Sequence, residues 1–153
     1  MLDYRLDHIC SYTAHLQSPP EAIGPVAEGL RLNFYVTGGE ITGPHLQGQV
    51  RPVGGDWLTI RTDGIAVLDV RASVETHDAA LIYLCWTGVA DLGEDGYQKA
   101  LAGNLPPTGL IRAAARMQTA HPAYRWLNRL QFLNIGEVDL PRSCVRYDIY
   151  AVS

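Results

Sequence analysis

From Trp57 to Val74 apolar and polar side chains change places almost residue by residue, interrupted once at Thr62-Asp63-Gly64, and the same period of two recurs along most of the chain. A period of two puts neighbouring side chains on opposite faces of an extended strand, whereas a helix repeats its apolar positions every three or four residues. Clusters of turn formers punctuate the pattern: Ser18-Pro19-Pro20, Gly38-Gly39, Gly54-Gly55, Asp63-Gly64, Pro106-Pro107 and Asp139-Leu140-Pro141. Many short strands joined by tight turns make a sandwich or a barrel. The expected strands are 3–16, 29–36, 39–41, 48–52, 57–61, 65–74, 80–88, 110–119, 130–136 and 144–152. Only 96–102 and 120–128 suit helical turns, the second with Pro122 where a first helical residue tolerates proline.

At 153 residues the chain is long enough to bury a core of its own, and no linker, repeat or low-complexity tract divides it. Residues 1–153 are therefore expected to form one domain. Cys10, Cys85 and Cys144 are odd in number and far apart, which suits reduced thiols rather than a disulfide framework or a zinc site. The five histidines, His8, His15, His45, His77 and His121, show no ligand spacing, so no metal is expected. A net charge of −4 with twelve dispersed basic residues offers no stripe for a phosphate backbone, which argues against nucleic acid. No apolar run reaches the roughly 20 residues of a membrane helix, and the opening MLDYRLDHIC lacks the pattern of a signal peptide. A cytoplasmic location is the resulting expectation.

The turn at Thr62-Asp63-Gly64 determines which residues share a face. A type I turn followed by a left-handed glycine pairs Arg61 with Ile65, and hence aligns Trp57 with Asp69. One face then carries Trp57, Thr59, Arg61, Ile65, Val67, Asp69, Arg71 and Ser73, the other Leu58, Ile60, Ala66, Leu68, Val70, Ala72 and Val74. A two-residue loop would slip the register by one and exchange the face of Trp57. The next turn, around Thr76-His77-Asp78-Ala79, leaves open whether Tyr83 or Trp86 joins the Asp69 face.

The runs G-G-D-W at 54–57, R-x-D-G-x-A-x-L-D-x-R at 61–71 and T-x-D-x-A-L-I-Y at 76–83 occur in that order, followed by Y-x-W-L-N at 124–128 and V-x-Y-D-I-Y at 145–150. Together they resemble the domain-of-unknown-function 3237 (UPF0311) family, with similarity from about Gly24 to Val152. The resemblance implies an all-β fold, a single antiparallel β-barrel with one or two short helical turns, allied in architecture to the allene oxide cyclase and dirigent barrels. Those barrels bind hydrophobic or phenolic small molecules without a metal or redox cofactor. The chain also departs from the family pattern. Around Arg112 the family's Arg-Thr-Thr/Ala-Pro, aromatic, Glu-Thr stretch has become Ala113, Ala114, Ala115, Met117 and Gln118, so a glutamate base there is ruled out. Thr62 stands for the usual proline, and Ala79 for the glycine expected after Asp78.

Two readings of the Asp69 face follow. Asp69 and Arg71, two apart, are either an exposed ion pair worth at most ~1 kcal/mol or part of a lumen wall. Pattern alone leaves them even. The apolar area contributed by Trp57, Ile65 and Val67, with the barrel implied by the resemblance, favours the lumen. The expected function is then a cofactor-free isomerase, cyclase or lyase acting on a small hydrophobic or aromatic oxygenated molecule. Asp69 is its expected acid or base, Arg71 and Arg112 its oxyanion stabilisers and Tyr83 its proton donor. Trp57, Trp86, Trp126 and Asn128 make up the expected substrate-binding set. The bland alternatives are that the tryptophans plug the core, the tyrosines bond backbone carbonyls and Asn128 caps its helical turn. A non-catalytic carrier or sensor with the same pocket, or a structural module with a solvated polar face, are the competing functions. Self-association into a homo-oligomer is compatible with all of them.

Overall fold

The computed structural model describes residues 1–153 and is dominated by strands. They are β1 (Leu6–Leu16), β2 (Glu21–Val26), β3 (Gly29–Thr42), β4 (Gly48–Val50), β5 (Gly55–Ile60), β6 (Ile65–Thr76), β7 (Leu81–Asp91), β8 (Thr108–Gln118), β9 (Gln131–Asp139) and β10 (Cys144–Val152). A single helix, α1 (Gly96–Leu101), follows β7, and a 3-10 segment, Pro122–Arg129, follows β8. Of these elements β2 was not foreseen. Its side chains are almost all exposed, so it carries no alternation, and it is held by its ladder to the first half of β3 and by Glu21, which accepts from Asn33 and Tyr35.

All pairings are antiparallel and run β1-β10-β9-β8-β7-β6-β4-β3, with β1 closing back on β3. Ten strands fill eight places around this ring, because β4 and β5 share one side of β3 and β1 and β2 share the other. Closure leaves no long unpaired edge inside the ring. The bend that makes this sharing work lies at Gly38-Gly39. Here β3 stays one strand instead of turning, the ladder to β1 skips a residue, and a β-carbon on Gly39 would meet the Thr13 carbonyl at 2.0 Å.

Interior positions are mostly apolar. Ala66, Leu68, Val70, Ala72 and Val74 of β6 are buried, as are Ile82, Leu84 and Trp86 of β7 and Ile111, Ala113, Ala115 and Met117 of β8. Thirty-two buried residues make one continuous core, so the chain has a single hydrophobic centre. Ile41, Val50, Val74, Leu84, Met117 and Phe132 fill one half of the barrel, and Leu127 of the 3-10 segment plugs that end, fully buried. The other half is hollow. The hairpin between β5 and β6 has the expected geometry: the Arg61 N–H donates to the Ile65 carbonyl, the Gly64 N–H to the Arg61 carbonyl, and Gly64 has a φ of +85°.

The register is the expected one, but the expected inner face is the outer face. Asp69 and Arg71 point away from the lumen, with side chains 48% and 50% exposed. The physical reason is simple: a packed interior takes the more apolar face, which along β6 carries no charged residue, and the apolar members of the other face, Ile65 and Val67, are only half-buried on the outside.

Candidate functional site

The hollow half of the barrel is a cavity of about 90 Å³, walled by Leu32, Phe34, Leu58, Ile60, Leu68 and Val70 among others, with Leu105, Pro106 and Leu140 from the connecting loops at its rim. Nineteen of its 24 lining residues are hydrophobic, and Asp56 is the one acidic or basic side chain among them. Its floor, where hollow and packed halves meet, is three aromatic rings packed edge to face or tilted. The Trp86 ring lies 5.4 Å from Tyr12 and 5.3 Å from Tyr147, and the two tyrosine rings are 6.1 Å apart. Gly136 on β9 makes room for this floor, since a β-carbon there would come within 2.3 Å of the Tyr147 ring.

Asp56 reaches the lumen because β5 alternates: Asp56, Leu58 and Ile60 face inward, in phase with Ala66, Leu68 and Val70 across the hairpin. The ladder between β5 and β6 lapses at Trp57 and Leu58, and there the Asp56 carboxylate accepts the Asp69 backbone N–H at 2.9 Å. Burial pushes the Asp56 carboxyl up to about 7, the bond from the Asp69 N–H pulls it down, and the negative charge of Asp69 outside adds to the rise. A carboxyl of this kind changes protonation near neutrality and can take or give a proton in an apolar site. Burial also drives the Tyr12 and Tyr147 phenols well above their ordinary values, Tyr147 further because the Asp56 charge is near, so both keep their protons. The indole N–H of Trp86 is buried without an acceptor in hydrogen-bonding geometry, although it lies beside the Tyr147 phenol. Asn134, also facing inward and fully buried, leaves both its amide atoms unpaired.

Of the residues expected at the site, Trp86 alone lines this cavity. Asp69 and Arg71 form an ion pair at 2.6 Å on the outer surface, and Arg112 is exposed between Val89 and Ile135, donating to the Ile111 carbonyl. Trp57 packs edge-on to Tyr35 outside the barrel. Trp126 lies beside His45 at the plugged end. Tyr83 and Asn128 share a shallow outer groove with Arg51, Ser73, Gln118 and Thr119. There Asn128 clamps the Thr119 backbone with two hydrogen bonds, both 2.8 Å. Asp56, the aspartate of the G-G-D-W run that interrupts the apolar rhythm, falls outside the expected set because it sits at the head of β5, one residue before the conspicuous Trp57. The available signal was its phase, two residues before Leu58 on the otherwise apolar face. The three cysteines are free, and no group of acidic, histidine and cysteine side chains is placed to hold a metal ion. No helix is long and apolar enough to cross a membrane.

A closed antiparallel barrel, packed at one end and hollow at the other over an aromatic floor, is the class that this fold and site define. The chain belongs to the family described as "Protein of unknown function (DUF3237)", whose model matches residues 4–152. It is 29% identical to a UPF0311 protein of Rhodopseudomonas palustris over 147 residues, covering 95% of this chain and 94% of the relative. Among solved structures it is similar to a beta-barrel like protein from Acinetobacter baumannii, with a TM-score of 0.84 at 26% identity over 100% of this chain and 98% of that one. An enzyme from Penicillium herquei shares the fold, with a TM-score of 0.71 at 20% identity and coverage of 100% and 97%.

Proposed function

We propose that this barrel is a cofactor-independent acid–base enzyme of the isomerase, cyclase or lyase type, which takes a small hydrophobic, oxygen-bearing molecule into the hollow half and uses Asp56 to move a proton on it. One observation carries this reading: the lumen contains a single ionisable carboxyl, raised to about 7, in walls that are otherwise apolar. A buried carboxylate costs stability unless it is paired. Asp56 has no cationic partner in the cavity lining, which is the pattern of a group kept for chemistry rather than for folding. The Penicillium herquei enzyme adds only that this architecture occurs in an enzyme.

The test is deuterium exchange. 1-Tetralone, an uncharged bicyclic ketone, is incubated in heavy water with wild type and with Asp56→Asn, and incorporation next to the carbonyl is followed by NMR. Wild type should speed exchange at least about a hundredfold over the variant, with affinity changed by less than about tenfold, since the lost group acts mainly in the transition state. The rate constant should rise with pH through about 7, because the ionised carboxyl is the base. Binding without any acceleration, equal in both proteins, would instead identify a carrier.

A further inference from the structure

We infer that the lumen selects uncharged ligands and grips them by an oxygen atom, with the Trp86 indole N–H and the Tyr147 hydroxyl as donors on the floor and Asp56 facing the ligand's acidic hydrogen. This deepens the acid–base reading above by naming the substrate class: a neutral, flat carbonyl compound or phenol with an ionisable C–H or O–H.

Three observations converge on it. First, the cavity lining contains no lysine, arginine or histidine, so a carboxylate or phosphate carried inside would be stripped of water with no countercharge. An anion would also face Asp56 itself, and like charges in a low-dielectric space repel strongly. Second, the Trp86 N–H is a buried donor with no acceptor in hydrogen-bonding geometry, its polar neighbour being the Tyr147 phenol, and Trp86 lines the cavity. Buried donors are almost always paired, so an unpaired one on a cavity floor is a place for a ligand's acceptor. Third, Tyr12 and Tyr147 pack against Trp86 at 86° and 73°, so the floor is not a flat stack of parallel rings, and the polar groups that these rings carry, one N–H and two O–H, can all donate. A cation would be welcomed by Asp56, but it would meet the donors head-on.

The chemistry that suits this arrangement balances without a further reactant. The Asp56 carboxylate takes a proton from the carbon beside the carbonyl, and the C–H electron pair becomes the carbon–carbon double bond. The carbonyl π pair moves to oxygen, where the N–H and O–H donors hold it. Asp56 then returns the proton, to the same carbon or to another along the conjugated system. Nothing is oxidised or reduced. A preorganised donor pair at the developing oxyanion is the usual source of rate in such proton transfers.

Binding of three probes of one shape separates the possibilities: 2-naphthol (neutral, with an oxygen), 2-naphthoate (anionic) and naphthalene (no oxygen), measured by calorimetry at about pH 8. Wild type should bind 2-naphthol at least about a hundredfold more tightly than 2-naphthoate. Asp56→Asn should shrink that ratio at least about tenfold, because the repulsion is removed. Trp86→Phe should weaken 2-naphthol more than naphthalene. Naphthoate binding as tightly as naphthol in wild type would overturn the charge selection, whatever the deuterium exchange shows. Equal weakening of naphthol and naphthalene in Trp86→Phe would overturn the donor role. Should none of the three bind, the lumen is not a ligand site and both proposals fall; should they bind as expected without exchange of 1-tetralone, only the acid–base reading falls. The wild-type contrast needs no variant, so a misfolded Trp86→Phe would still leave the charge selection decided.

Discussion

Two aspartates, Asp56 and Asp69, lie thirteen positions apart on paired strands, and their environments give them opposite characters. Asp69 is half-exposed and bonded to Arg71, while Asp56 is lodged among apolar side chains with one backbone N–H for company. The difference has a measurable sign. The Asp56 carboxyl is raised to about 7 in the folded protein, so between its unfolded value of about 4 and about 7 the folded state holds a proton that the unfolded chain has released. Its contribution to stability is therefore fullest below about pH 4, declines as pH rises through about 7, and stays reduced above. Asp56→Asn, which keeps an acceptor for the Asp69 N–H, should melt close to wild type in mild acid and several degrees higher by about pH 8, as calorimetric melts across that range will show. Arg71→Ala is the contrasting case. An exposed pair of this kind contributes little, and the variant should melt within about 2 °C of wild type. A loss of ten degrees would put that pair in a water-poor setting after all.

Among the elements, the turn between β6 and β7 shows how one residue type can be spent against its preference. The Thr76 N–H donates to the Ala80 carbonyl and the Ala79 N–H to the Thr76 carbonyl, the Thr76 hydroxyl donates to Asp78 at 2.5 Å and accepts from the Ala80 N–H, and Tyr124 reaches across from the 3-10 segment to the same Asp78 carboxylate. Within this frame Ala79 is held at a φ of +65°, in the left-handed region that glycine occupies without cost. Ala79→Gly should accordingly stabilise the protein by about 0.5–1 kcal/mol in urea unfolding, the relief of strain outweighing the added freedom of the unfolded chain. Destabilisation would mean that the network around Asp78 fails to constrain that residue. The long strand β3 teaches a related lesson. Gly38-Gly39 stand among the turn formers of the sequence, yet β3 runs on through them as one strand, and the residue skipped in its ladder to β1 marks a bulge in place of a turn.

Over the whole molecule the barrel is uneven: one half is filled and plugged, the other hollow. Exchange of backbone amides should follow that division. The amides of β6, β7 and β8 around Val74, Ile82 and Met117, buried in the packed half, should open only with global unfolding. Those of α1 and of the loops at the rim, near Leu105, should exchange faster by local opening. Hydrogen exchange read by mass spectrometry checks this directly, and uniform protection from rim to plug would refute it. Under the proposed function, the region expected to open is the one that a ligand would pass.

Most of the strands, the two short helical segments and the register of the β5–β6 hairpin were legible in the sequence, because alternation and turn chemistry are local and each is set by a handful of adjacent residues; β2, which has no alternation, and the unbroken run of β3 were not. Cys144–Val152 begins and ends where its pattern does, and Pro122 opens the 3-10 segment as its place predicted. The inside and outside of the sheet were not legible from apolar area alone. Trp57, Ile65 and Val67 outweigh two charges in the written chain, yet in the ring closed by β1 on β3 the more apolar face of the hairpin turned inward, and Asp69 with Arg71 went outward. That closure also turned Asp56, unremarkable beside Trp57 in the written chain, into the one acid of the lumen. Its environment is made by Phe34, Val70 and Tyr147, which lie 22, 14 and 91 positions away, and only folding brings desolvation from such distances onto a single carboxyl.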